Sequence, residues 1–335
     1  MKITIQMPNF NHGHYLQETI NSIRQQTYQN WELLIVNDGS TDNSGEILES
    51  YAAIDDRIKI YHFPENRGLI ESINFLESVS TGELLHPNGA DNPLASDTFF
   101  EKSINLFDKY KDIAIVFALT AGVDEANNVV GKWGAPKEKA EYLTPHDGIR
   151  EFFLSDYISG ESVIIKRSPY LIYGAIDRDL GPLSDVFINE ALVALHGGAY
   201  LDEVVSYTRL DPNSFGRSQS LVEMIVQAAR MEKKFMALPL SIPPEAAWIN
   251  AYRTRKLIDI LNLNHKHNLS KTIDQLLGAI EGWPRYRRPD YYESIKSQFN
   301  ALKALIEKEN IITNEKACNL YGGIVGEKLT LECKI

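Results

Sequence analysis

The sequence predicts an α/β fold, a mainly parallel sheet flanked by helices, on three observations. Over the first 120 positions, apolar residues alternate between strand-like runs and helical spacing, each strand pattern is followed by one helix pattern, and polar turn-forming clusters follow the strands. Ile3–Met7 reads as the first buried strand, and Leu16, Ile20 and Ile23 stand at i, i+4 and i+7 in a helix that starts near Tyr15. Trp31–Val36 is the second strand, and Ile47, Leu48 and Tyr51 mark the second helix. Ile58, Ile60 and Tyr61 make a third strand, and Leu69, Ile73 and Leu76 a third helix. Leu84–Leu85 open a fourth strand, a helix surrounds Phe99–Phe107, and the β-branched run Ile113–Phe117 supplies a fifth strand. Strands joined by single helices make right-handed crossovers and pair in parallel. That brings the strand-to-helix turns to one carboxyl edge, where open α/β sheets bind their ligands.

Composition narrows the class. The 335 residues carry 34 Lys and Arg against 45 Asp and Glu, a formal charge of −11, which excludes the basic footprint of a nucleic-acid binder. A content of 44% hydrophobic and 24% charged residues is that of a globular chain. Residues 1–240 hold 20 basic and 34 acidic groups, and 241–335 hold 14 and 11. This shift from −14 to +3 sets an expected boundary near Pro239–Pro244. Beyond it, Ile273, Leu276, Leu277 and Ile280, then Ile295, Phe299, Leu302 and Ile306, predict packing faces of a helical C-terminal region. Trp283–Arg288, between the two stripes, reads as a solvated loop, or else as an acceptor or membrane-surface patch. The opening MKITIQMPNF has no signal-peptide core, and the apolar stretch near Ile113–Val123 is too short for a bilayer. The expectation is a soluble cytoplasmic protein, at most peripherally attached to a membrane. Cys318 and Cys333, the only cysteines, predict free thiols.

The polar clusters fall at the predicted turns: Pro8-Asn9-Phe10-Asn11, Asn37-Asp38-Gly39-Ser40-Thr41-Asp42, Asn66-Arg67-Gly68 and Asn88-Gly89-Ala90-Asp91-Asn92. Turn and cap chemistry accounts for any one of them; four on one edge describe a site. Asp38 ends an apolar strand and, as a pure acceptor, suits an imide N–H such as that of uracil. Arg67 offers a positive fork for a diphosphate. Asp91 is a hard oxygen ligand for Mg²⁺ or Mn²⁺, which take one or two carboxylates plus substrate phosphates. The glycine-rich loops of dinucleotide and P-loop folds are missing, which excludes hydride transfer and ATP hydrolysis.

The run PNFNHGHYLQETINSIRQQTYQNWELLIVNDGSTDNS, followed by Asn66-Arg67-Gly68 with Asn74 and by Gly82-Glu83, closely resembles the opening of the family 2 inverting glycosyltransferases. The resemblance is strong over residues 1–120 and weak to about 218. It implies a GT-A fold over residues 1–240, with a nucleotide-sugar half (1–120) and an acceptor half (121–240). It implies that Pro8, Phe10 and Asn11 line the nucleotide pocket, that Asp38 holds the base and that Asn66, Arg67 and Gly68 border the nucleotide. The family's D-x-D motif falls on Gly89-Ala90-Asp91, so its first Asp is Gly89. The metal ligand then survives in Asp91, and the ribose contact passes to Asn88, to backbone groups or to water. His86, which replaces an apolar residue there, reads as a half-buried histidine with a backbone partner, with a ligand role as the alternative.

On the acceptor side, Ile158–Ser162 and the strand Val163–Lys166 resemble the family's small-residue turn and strand, and Ser184–Glu190 its acidic motif, with Asp185 as the general base. A helix cap is the plain alternative for Asp185, and Glu161 and Asp179 are alternative bases. After a helix Val186–Leu195 and a strand Leu201–Thr208, Asp211 stands where the family places a metal-binding His; a turn before Pro212 explains it equally well. The resemblance thus implies transfer of a sugar from a nucleotide-diphosphate sugar, of UDP type, to a hydroxyl of a sugar, glycolipid or glycoprotein, with a divalent metal and with homo-oligomerisation left open. The other readings are a sugar-nucleotide-binding or scaffold protein that has lost turnover and, less favoured, a nucleotidyltransferase.

Overall fold

The computed structural model describes residues 1–124, 127–136, 140–154, 158–173, 176–209 and 221–245, with Ile249 and Tyr252. Asp211, the two C-terminal helical stripes, the Trp283–Arg288 segment and both cysteines lie outside the described residues. The chain divides into two compact units, Met1–Arg178 with Ser184–Ser214 and Leu238–Ile242, and Asp179–Leu183 with Phe215–Ala237 and Pro243–Ile335.

The first unit opens with the alternation expected: β1 (Ile3–Asn9), α1 (Gly13–Arg24), β2 (Trp31–Asp38), α2 (Ser44–Ala52), β3 (Ile58–Phe63), α3 (Leu69–Val79), β4 (Leu84–Pro87) and α4 (Phe99–Lys109). It continues through β5 (Ile115–Val123), β6 (Val129–Trp133), β7 (Tyr142–Leu143), α5 (Pro145–Leu154), β8 (Val163–Lys166), α6 (Arg167–Ile172), α7 (Ser184–His196) and β9 (Gly198–Arg209). The strand order is β3-β2-β1-β4-β8-β5-β9-β7, with β6 paired to β5. β1 to β4 are parallel to one another, and β5 is parallel to β9. β8 runs antiparallel between β4 and β5. Six of the nine strands thus run the same way; antiparallel β8 parts the fourth strand from the fifth, and β6 and β7 run antiparallel to β5 and β9.

The register explains why β1 and β2 are buried along almost their whole length. Alternate residues face opposite sides, and helices cover both. Ile3, Ile5, Met7, Leu33 and Ile35 join Leu16, Ile20 and Ile23 of α1, Leu48 of α2 and Phe99, Phe100 and Phe107 of α4 in the larger core. Each fully buried aromatic or aliphatic side chain contributes roughly 1.5–3 kcal/mol. The other face of β2 presents Leu34 and Val36 to Leu76 of α3, and further along Ile115, Phe117, Val163 and Ile165 pack on Ile188 and Leu192 of α7. Past the end of α3 the same face is polar. Glu32, almost fully buried, accepts hydrogen bonds from Lys2 Nζ at 2.7 Å, Thr4 Oγ1 at 2.7 Å and Thr81 N at 2.9 Å. Burial alone would raise its pKa, but these donors outweigh it and hold the carboxyl down at about 2.

β6, β7, α5 and α6 are not among the elements predicted from sequence: β6, β7 and α6 are short, whereas α5 does carry helical spacing in Ile149, Phe152 and Phe153. In the second unit, α8 spans Leu221–Met236, and the Tyr252 hydroxyl donates to the Ala228 carbonyl at 3.1 Å. Among the described residues, no helix is long and apolar enough to cross a membrane.

Candidate active site

Register brings the ends of the first strands level: Asn9 pairs with Asn37, Asp38 with Phe63, and Gln6 with Pro87. The loops that follow are stitched together. The Asn11 backbone is in the left-handed region, with φ 57°. Its N–H donates to Ser40 Oγ at 3.0 Å and its side-chain oxygen accepts from Thr41 N at 2.8 Å, which ties the β1 loop to the β2 loop. Phe10 is 41% exposed at this edge and Pro8 is half-buried.

Asp38 is only 3% exposed, and its two oxygens accept from the backbone N–H groups of Arg67 at 2.8 Å and Gly68 at 2.9 Å. The carboxylate thus holds the β3–α3 loop in place, and each oxygen retains a further lone pair. Gly68, at φ 89°, turns the chain into α3 with a conformation that other residues rarely adopt. Asn66 is exposed. The Arg67 guanidinium lies 4.4 Å over the Phe63 ring and, among the described residues, forms no ion pair.

The β4–α4 loop is packed more tightly. Asn88 is buried and donates to the carbonyls of Gly89 at 2.8 Å and Asn92 at 3.1 Å, closing the loop on itself. A side chain at Gly89 would come within 2.5 Å of Asn92 Nδ2 and 3.0 Å of Asp91 Oδ1. The absent first Asp of the motif therefore goes with a loop that has closed over its position. Ala90 is buried and Asp91 half-buried. His86 is fully buried between the edges of Phe99 and Phe100 and donates from Nδ1 to the Val163 carbonyl at 2.9 Å. Burial lowers its pKa to about 4, against smaller upward effects of Val163 and Asn88. It is a neutral core residue.

Three further residues meet this loop, none of them assigned there from sequence. Asn92 Nδ2 donates to Glu161 Oε1 at 2.6 Å, and Thr208 Oγ1 donates to Glu161 Oε2. Arg209 gives its backbone N–H to Asn92 Oδ1 at 3.2 Å and its Nε–H to the Asp91 carbonyl at 3.1 Å. Its terminal nitrogens reach Glu18 at 2.5 Å and Asn127 at 2.6 Å, with the guanidinium 4.4 Å over Tyr15. The set joins the β4–α4 loop to a turn 69 residues on and to a strand end 117 residues on, so no spacing rule reveals it.

Asp185 stands in the first turn of α7, and its Oδ1 accepts from Val186 N at 2.8 Å. Its other oxygen lies against Gly160, where a Cβ would overlap it. Burial raises the Asp185 pKa to about 6, partly offset by backbone hydrogen bonds. Burial also raises Glu161 to about 8, the Thr208 hydrogen bond lowering it and the charges of Asp91 and Asp185 raising it further. The two carboxyl groups are close enough for the charge of Asp185 to act on Glu161. Among the described residues no group of three His, Cys, Asp or Glu side chains could hold a metal by itself. A metal here would need the oxygens of a bound diphosphate beside Asp91.

Residues 4–170 match the model of glycosyl transferase family 2, and the chain belongs to that family. An uncharacterized glycosyltransferase of Haemophilus influenzae is 30% identical over 167 residues, covering 50% of this chain and 66% of that protein. The chain spans less than two thirds of the length of the curated relatives it matches. Among solved structures, S. aureus TarS 1-349 in complex with UDP-GlcNAc superposes with a TM-score of 0.61 at 17% identity, covering 98% of this chain and 92% of that one. The mannosyltransferase PcManGT of Pyrobaculum calidifontis, in complex with GDP-Man and Mn²⁺, gives 0.57 at 13%, covering 98% and 86%. At these identities the likeness establishes the fold, which is of GT-A type.

Proposed function

We propose that the chain transfers a sugar from a nucleotide-diphosphate sugar, of UDP type, to a hydroxyl acceptor with inversion at the anomeric carbon, in bacterial surface polysaccharide or glycoconjugate synthesis. The observation that carries this reading is the seat of Asp185. A half-buried carboxylate at the start of α7 lies against Gly160, one residue from the group that grips the Asp91 loop. As the acceptor oxygen attacks the anomeric carbon, Asp185 takes its proton, and the bond to the diphosphate breaks on the opposite face. A pKa of about 6 leaves Asp185 ionised at neutral pH yet basic enough to accept a proton.

On the donor side, the free lone pairs of Asp38 suit an imide N–H, and Arg67 suits the diphosphate. A divalent ion, Mn²⁺ or Mg²⁺, would sit between Asp91 and the donor's own phosphates and neutralise the leaving charge. The UDP-GlcNAc bound to one solved neighbour and the GDP-Man and Mn²⁺ bound to the other support both expectations. Gly89 favours a second reading, a sugar-nucleotide-binding protein without turnover, because the loop has closed where the family carries its first Asp.

Incubation with a panel of nucleotide sugars and hydroxyl acceptors, with Mn²⁺ or with EDTA, separates the two. Release of nucleotide diphosphate from a UDP-sugar, strengthened by Mn²⁺, is expected. Donor binding without release from any pair would leave the second reading standing, and equal release in EDTA would remove the metal from the reaction.

A further inference from the structure

The three-residue 3-10 turn Gly160–Ser162 touches both halves of the site. Gly160 lies against the Asp185 carboxylate, and the next residue, Glu161, bonds through one oxygen to Asn92 Nδ2 at 2.6 Å and through the other to Thr208 Oγ1. Asn92 neighbours Asp91, and its carboxamide oxygen accepts from Arg209 N at 3.2 Å, so the turn, the β4–α4 loop and the end of β9 close into one ring of hydrogen bonds. The turn is anchored behind as well: Ser162 Oγ is hydrogen-bonded to Thr120 Oγ1 and donates to the Leu119 carbonyl at 3.3 Å, both on β5. Glu161 spends both oxygens on the protein. That is the pattern of a spacer rather than of a group waiting for substrate.

We propose that Glu161 is a positioning residue: it latches the Asp91 loop to the turn on which Asp185 rests, and so fixes the separation between leaving diphosphate and base without touching substrate itself. The proposal rests on the transfer reaction above. It matters because in-line displacement is sensitive to the placement of base and leaving group, and a shift of about 1 Å costs on the order of 10²-fold in rate.

The latch needs shape and hydrogen bonds, not a charge. In Glu161→Gln, Oε1 still accepts from Asn92, and Nε2–H donates to Thr208 Oγ1, since a hydroxyl serves as acceptor as readily as donor. Glu161→Ala loses both bonds. Glu161→Ala should therefore lower kcat about 10–100-fold with donor affinity within about 3-fold, and Glu161→Gln should stay within about 3-fold of the native kcat. Asn92→Ala should behave like Glu161→Ala, and the double variant should be little worse than either single one.

Gln as inactive as Ala would make Glu161 a proton-transfer group and overturn the proposal. Alanine variants that melt lower but turn over normally per folded molecule would overturn it in favour of a merely structural role. Hydrogen exchange at the amides of Asn92 and Arg209 gives a readout independent of turnover: faster in Glu161→Ala and unchanged in Glu161→Gln is expected, and no change in either overturns the latch. If the native protein releases nucleotide diphosphate from no donor, the transfer reading fails, and the latch is then decided by exchange alone.

Discussion

Asp185, the proposed base, shows how a carboxyl is tuned by a neighbour that has no side chain. Because the Asp185 carboxyl lies against the Gly160 backbone, it is drawn out of water and its pKa rises to about 6. Activity should therefore increase with pH through about 6 as Asp185 ionises. Asp185→Asn should cut kcat by about 10²–10⁴-fold, remove that acid limb and leave donor affinity nearly unchanged, read from a pH–rate profile beside calorimetry. Normal turnover in a less stable Asp185→Asn protein would reduce the residue to a helix cap. At this scale sequence offered candidate residues but not their contacts. Asp38, Asp91 and Asp185 were named by motif, but the bonds of Asp38 to the Arg67 and Gly68 amides depend on three-dimensional closure between β2 and β3. Glu161 stood out from sequence only as a spare carboxylate. Its partners Asn92 and Thr208 are 69 and 47 residues away.

Among the elements, the helices that flank the site begin on a shared support. Asp42 Oδ2 accepts from Gly13 N at 2.9 Å and Oδ1 accepts from Ser44 N at 3.0 Å, so one exposed side chain serves the first turns of both α1 and α2. Those donors and that of the Ser44 side chain prevail over burial and keep its carboxyl below the usual range. Asp42→Ala should cost about 1–2 kcal/mol, more than one ordinary cap, measured by urea unfolding. A loss below about 0.3 kcal/mol would show that water replaces the carboxylate at both helices. The first four strands and helices were legible because their apolar faces repeat cleanly. The pairing of β8 was not: its four residues read as a strand, but nothing local says that it enters the sheet antiparallel between β4 and β5. The short β6 and β7 owe their existence to pairing with β5 and β9, a tertiary cause that periodicity does not register.

For the molecule as a whole, the shifted groups predict a stability maximum in mildly acidic solution. Glu161 binds its proton up to about pH 8 when folded but only to about 4.5 when unfolded, so it favours the folded state less and less as pH rises from 4.5 to 8; Asp185 acts likewise from 3.8 to 6. His86 works in the opposite sense, resisting protonation to about pH 4 and withdrawing stability as pH falls below 6.5. Asp55, lowered to about 2 chiefly by hydrogen bonds from Arg57, and Glu32 withdraw more as pH falls from about 4 to 2. The melting temperature of Glu161→Gln should thus gain on the native protein between pH 6.5 and 8.5; a constant gap would show that Glu161 is not raised. The placement of β8 also governs how the chain emerges during synthesis. β4 has β1 on one side, and its other edge waits for residues 163–166, about 80 residues later, or about 4–16 s at ribosomal speeds of roughly 5–20 residues per second. During that interval the nascent sheet offers a bare edge to neighbouring chains, and a strand of only four residues ending in Pro87 is a poor template for them.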